Sequence, residues 1–133
     1  MKAVKASIVR ALPHTANVTI CDNSGGRILR IISTFGHKTV KGRVSSAAIG
    51  DLVTGSVVEG KQDIRKTVVQ AVIVRQKKAY MRLDGTHIKF EDNAVALIKD
   101  DLGNPKGTMI KGPMAKEAAD RWPALSKIAS MII

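Results

Sequence analysis

The stretch TVVQAVIVR, residues 67–75, constrains the fold more than any other part of the chain, because six of its nine residues are β-branched. Such side chains are stiff and pack well on a pleated surface. Ala71 to Val74 is apolar without alternation, which predicts a strand buried on both faces. Its neighbours read the same way: VTICD (18–22), running into the turn NSGG (23–26), DLVTGSVVEG (51–60) and AVALI (94–98). In ILRIISTFG (28–36) alternation puts Leu29, Ile31, Ser33 and Phe35 on one face. HKTVKGRVSSAAIG (37–50) has no period and reads as a loop made basic by Lys38, Lys41 and Arg43. Short strands at this spacing predict a mainly β fold built on a small barrel, rather than a layered α/β one.

Residues 75–94, RQKKAYMRLDGTHIKFEDNA, carry the turn signal Asp84-Gly85. A two-residue turn would oppose Leu83 to Thr86, Arg82 to His87, Met81 to Ile88 and Tyr80 to Lys89. One face would then hold Ala79, Met81, Leu83, Thr86, Ile88 and Phe90. The other would hold Lys78, Tyr80, Arg82, His87, Lys89 and Glu91, nearly all able to carry positive charge or to stack. A single surface cation needs no partner. A whole face of them repels itself, and a polyanion relieves that repulsion.

Composition agrees: 22 Lys and Arg stand against 11 acids, with the excess confined to residues 1–90 (16 cations, 5 acids), while residues 91–133 hold 6 of each. The 44% hydrophobic content suffices for one domain of 133 residues. Aromatics at 3% argue against a stacking platform and favour backbone and shape recognition of folded nucleic acid. No run reaches the roughly 20 apolar residues of a membrane helix. The start MKAVKASIVR has charge but no apolar core, so the expectation is a soluble, intracellular protein without membrane contact. The lone Cys21 excludes an internal disulfide and reads as a small packed residue.

Toward the end, Gly112-Pro113 offers a helix start, Ala115, Ala118, Ala119 and Trp122 recur at helical spacing, and Pro123 begins a second short helix with Leu125, Ile128 and Ala129. Trp122 reads as a core anchor. GSVVEGKQ (55–62) resembles a phosphate loop but has Gln62 where Ser or Thr is needed and a strand where a helix should open. His14, His37 and His87 lack metal-ligand spacing, and no nucleophilic grouping has local support. The expectation is no enzyme, no metal and no cofactor.

CDNSGG (21–26), IGDLV (49–53), RKTVVQAVIVRQKKAY (65–80), DGTHIKFEDNA (84–94) and GNPKGTMIKGPMAKEAADRWP (103–123) together resemble the fourteenth universal protein family of the large ribosomal subunit, in its archaeal and eukaryotic form. The family signature runs through Ala71 to Val74, Asp84-Gly85, Phe90 and Asn93, with Ala96 where Val is usual. The resemblance implies a five-stranded β-barrel with a projecting hairpin, over about residues 1–100, and a C-terminal loop and short helices over about 101–133. It implies a structural role in the cytoplasmic ribosome: binding large-subunit rRNA, bridging to small-subunit rRNA, and packing beside the third universal large-subunit protein and an L24e-type protein. It further implies a face able to receive an anti-association factor, the sixth initiation factor. Lys41, Arg43, Arg65, Lys66, Arg75, Lys77, Lys78, Tyr80, Arg82 and Lys89 are the expected rRNA contacts, and Lys106, Thr108 and Lys111 the expected subunit interface. The alternative is a free-standing β-barrel nucleic-acid binder or RNA chaperone, which would need exposed aromatics on one barrel face.

Overall fold

The β-branched runs become the staves of one closed barrel in the computed structural model, which describes residues 8–133. The charged start read over residues 1–10 lies largely outside the described residues. In chain order the strands are β1 (Leu12–Pro13), β2 (Asn17–Ile20), β3 (Gly26–Thr34), β4 (Ser46–Ala47), β5 (Leu52–Gly60), β6 (Val68–Arg75), β7 (Tyr80–Met81), β8 (His87–Ile88) and β9 (Ala94–Ile98). After them come β10 (Ile110–Met114), α1 (Lys116–Arg121), α2 (Pro123–Ser126) and β11 (Ala129–Ile132). The barrel order is β2-β3-β5-β6-β9, closed by the parallel pairing of Thr19 with Ala94 and Ile20 with Val95. Closure leaves no barrel edge for another chain to extend.

Ala71 to Val74 and all of β9 are buried, as a strand covered on both faces requires. Ala96, fully enclosed, is small enough to sit there. In β3 the alternation breaks. Leu29 and Ile31 point inward, but an irregularity in the pairing with β5 between Ile31 and Ser33 shifts the phase, so Thr34 is buried and Phe35 is 61% exposed. The expected shared face of Leu29, Ile31, Ser33 and Phe35 is therefore corrected after Ile31. The segment 37–50 is a loop except at its end, where Ser46–Ala47 pairs with Leu12–Pro13.

Pro113 does not start a helix: it lies inside β10, whose parallel partner is β11, and the helix begins at Lys116. Pro123 does open α2, but that helix ends at Ser126, so Leu125 lies in it while Ile128 follows it and Ala129 begins β11. Neither helix has a side-chain N-cap. At six and four residues they owe their stability to packing, through buried Ala118, Ala119 and Leu125. Trp122 anchors them, 1% exposed, its indole Nε1 donating to the Gly50 carbonyl at 2.7 Å. Arg121 reaches Asp51 at 3.0 Å.

The hairpin register differs from expectation by one residue. Tyr80 pairs with Ile88 and Met81 with His87, and the Arg82 amide donates to the Thr86 carbonyl at 2.9 Å. The connection is thus the three residues Leu83-Asp84-Gly85, with Gly85 in the left-handed region at φ 90°. That is a turn closed by a glycine bulge rather than a two-residue turn. One residue of loop exchanges partners across the ribbon.

Candidate nucleic-acid interface

Whether a cation can grip a polyanion depends first on whether the protein already uses it. The register sorts the hairpin accordingly. Tyr80, Ile88 and Phe90 turn toward the body, with Arg82 half-buried beside them, while Ala79, Met81, Leu83, His87 and Lys89 face out. The inward pair meets α1: Arg82 Nε donates to Glu117 Oε1 at 2.7 Å, and the Tyr80 hydroxyl donates to Glu117 Oε2 at 2.8 Å. Arg82 also donates to the Ile133 carbonyl at 2.6 Å. Burial, then the hydrogen bond to anionic Glu117, pushes the Tyr80 phenol well above its ordinary range. Burial opposes the Arg82 charge, but Glu117 and Tyr80 outweigh it and raise its pKa.

Arg75 is likewise spent inside. Its Nε and Nη2 grip both oxygens of Asp92 at 2.8 and 3.1 Å, and Nη1 donates to the Lys111 and Pro113 carbonyls at 2.9 and 3.0 Å. One guanidinium thereby ties the end of β6 to β10, a fork geometry that Lys could not supply. Arg75, Tyr80 and Arg82, three of the ten expected rRNA contacts, are therefore withdrawn from the exposed surface.

The other seven stand free. Lys41, Arg43, Arg65, Lys66, Lys77, Lys78 and Lys89 are exposed, and their charged groups have no hydrogen-bond or ion-pair partner among the described residues. Lys41 and Lys66 sit at φ 58° and 63°, a left-handed conformation uncommon outside glycine. Arg65 and Lys66 belong to the tight β5–β6 connection, where the Lys66 amide donates to Val57 at 2.8 Å and the Arg65 amide to Lys61 at 2.9 Å.

The expected subunit-facing residues separate too. Lys106 is exposed, with its backbone amide fixed to Leu97 at 3.0 Å. Thr108 is clamped: its amide donates to Asn23 Oδ1 at 2.8 Å, and its hydroxyl accepts from Asn23 Nδ2 at 2.6 Å. Lys111 lies in β10, its amide donating to Cys21 at 2.7 Å. These bonds lay the 105–111 segment against the NSGG turn and bring Lys111 toward Arg27 and Lys61, two exposed cations that sequence spacing did not single out. No local pattern could have found them, because their proximity comes from the pairing of Gly26 with Gly60 between β3 and β5 and from the bond that holds Lys111 to Cys21.

The turn itself is held by Asp22, buried beneath it. Its Oδ1 accepts from the Ser24 amide at 3.1 Å and from the Ser24 hydroxyl, and its Oδ2 from the Leu97 amide at 2.8 Å. Cys21 beside it packs into the core, its thiol pushed up to about 12 chiefly by burial. Among the described residues no group of three or more His, Cys, Asp or Glu is placed to hold a metal ion. No helix among them is long and apolar enough to cross a membrane.

Comparison with known proteins identifies the family. Residues 11–133 match the family model described as ribosomal protein L14p/L23e. The large ribosomal subunit protein uL14 of Nanoarchaeum equitans is 55% identical over the whole of both chains. Those of Methanococcus vannielii and Halobacterium salinarum are each 45% identical, over 99% and 100% of both chains. The chain belongs to the ribosomal protein L14p/L23e family, structural constituents of the large ribosomal subunit.

Proposed function

We propose that this chain is a non-enzymatic clamp on large-subunit rRNA, gripping phosphates through Lys41, Arg43, Arg65, Lys66, Lys77, Lys78 and Lys89. The observation that carries this reading is the sorting of charge: these seven cations are exposed and unpartnered among the described residues, whereas Arg75 and Arg82 are consumed by internal anions and carbonyls. Phosphate neutralisation by such groups supplies affinity with little base specificity. Of the four aromatic residues only Phe35 is exposed, which speaks against a stacking single-strand binder. The charge-balanced C-terminal third, with Lys106 on a segment fixed to the barrel, suits an intersubunit bridge to small-subunit rRNA and a docking face for neighbouring ribosomal proteins and an anti-association factor. The protein then works in the cytoplasm, within the ribosome.

The test is assembly. Large subunits isolated on a sucrose gradient should contain the wild-type chain stoichiometrically, and replacing Lys77, Lys78 and Lys89 together with Ala should lower incorporation while leaving the free protein's melting temperature nearly unchanged. A lysate in which the wild-type chain stays out of the large-subunit fraction would refute the reading.

A further inference from the structure

The end of the barrel where β2 hands over to β3 carries a groove that the hairpin and loop cations do not explain. It is about 470 Å³ and is lined by Gly25, Gly26, Arg27, Gly60, Lys61 and Lys111. It continues into a second depression that shares Asp22, Gly26, Arg27 and Lys111 and runs on past Thr19 and Ile28. We propose that this groove is a preformed seat for the sugar-phosphate backbone of rRNA, with Arg27, Lys61 and Lys111 as its phosphate contacts. The inference rests on the rRNA-binding reading above and assigns it a second, independent site.

Three observations support the assignment. First, the floor is bare backbone. A Cβ at Gly60 would lie 2.9 Å from both the Gly25 carbonyl oxygen and the Gly26 Cα, so residue 60 can meet the Gly25-Gly26 turn only as a glycine. The Lys61 amide closes that contact by donating to Gly25 at 3.0 Å. Glycine there lets the two chain segments pack directly, so no side chain of residues 25, 26 or 60 stands over the groove. Second, the three cations come from β3, from the residue after β5 and from β10, yet none has a side-chain partner among the described residues. Of the two acids at the groove, Asp22 is buried with both oxygens engaged by amides and by Ser24, leaving exposed Glu59 as the opposing charge. Third, the backbone that carries Lys61 and Lys111 is fixed beforehand. The Asn23 side chain clamps the Thr108 backbone and the Lys111 amide bonds Cys21, so little backbone ordering remains to be done on binding. The groove is open rather than enclosed, which suits a chain of phosphates better than a small-molecule ligand.

The experiment measures binding of the full-length protein to deproteinised large-subunit rRNA across a salt series. The triple variant Arg27→Gln, Lys61→Gln, Lys111→Gln should flatten the slope of log affinity against log salt by roughly 2–3, since each lost phosphate contact removes roughly 0.7–0.9. Lys61→Arg, which keeps the charge, should leave the slope unchanged. Matching thermal melts will show that the triple variant is folded, as expected for exposed residues without side-chain bonds. A parallel titration with inorganic phosphate, followed at the Gly25, Gly26 and Lys61 amides by NMR, should give no saturable shift. If the wild type binds steeply and the hairpin triple flattens the slope while the groove triple does not, the groove proposal falls and the rRNA reading stands. If wild type shows no salt-dependent binding, both fall. Saturable binding of inorganic phosphate with an unaltered RNA slope would replace the proposal with a small-anion site.

Discussion

Strand β9 and the 76–93 hairpin are consecutive in sequence but are specified in different ways. In β9 every residue is buried and apolar, so sliding it by one position exchanges one apolar side chain for another and its place is set by closure of the barrel. In the hairpin only two residue pairs form the ladder, and each side chain is either committed inward or presented outward according to the length of one turn. Redundant burial fixes the scaffold, whereas a single glycine conformation decides which cations the scaffold offers.

The largest expected effect tests the barrel half of that contrast. Leu97, fully enclosed in β9, changed to Ala should cost about 2–5 kcal/mol in urea unfolding at unchanged m, because methylenes are lost and a cavity remains. Leu83, 77% exposed at the hairpin tip, changed to Ala should stay within about 0.5 kcal/mol. Equal costs at the two positions would mean that the barrel interior is not where stability resides.

An intermediate effect is expected at the joint between the two regions. Glu117→Gln removes the anion that meets both Arg82 and Tyr80, and losing charge-assisted hydrogen bonds in a largely enclosed site should cost about 1–3 kcal/mol. The cost should be local. Hydrogen exchange at the Arg82 amide, bonded to Thr86, and at the Phe90 amide, bonded to Gln76, should speed up, while the Val57 and Ile73 amides keep their protection. Equal loss at all four would merge hairpin and barrel into one cooperative unit.

This difference in specification also governs how much could be read from the chain alone. Val72, Ile73 and the AVALI run announce buried strands by composition, because β-branched residues without alternation have few other stable uses. Trp122 as an anchor was legible for the same reason: a large ring amid small residues finds a core. Phase was harder. Phe35 faces solvent because of an irregularity in β3 that leaves no residue signature, and Tyr80 and Arg82 face inward because Asp84-Gly85 closes a three-residue loop with the same dipeptide that would close a two-residue one. The inward destination of Arg82 depends on Glu117, 35 residues away, and the grouping of Arg27, Lys61 and Lys111 depends on the β3–β5 pairing and on the Lys111 bond to Cys21. Long-range partners decide what local pattern leaves open.

The smallest effect on stability separates the inner and outer faces of the hairpin most directly. Lys89 is exposed and has no partner among the described residues, so Lys89→Ala should change folding stability by no more than about 0.5 kcal/mol. Its absence should nonetheless flatten the salt dependence of rRNA affinity by roughly one unit, as expected when one phosphate contact is lost. Arg82 is the matched control. In the two-residue register it would share the Lys89 face, but in the observed register its guanidinium lies against Glu117. Replacing both members of that pair, Arg82→Gln with Glu117→Gln, removes the cation without stranding its anion. Stability should drop more than for Lys89→Ala, because the anchor loses its charge assistance, yet the salt slope should match wild type. Paired filter-binding series and urea melts on the two variants give all four numbers. A slope flattened as much by the inner pair as by Lys89→Ala would show that RNA draws Arg82 out of its internal pair, so that turn length would no longer decide which cations are available.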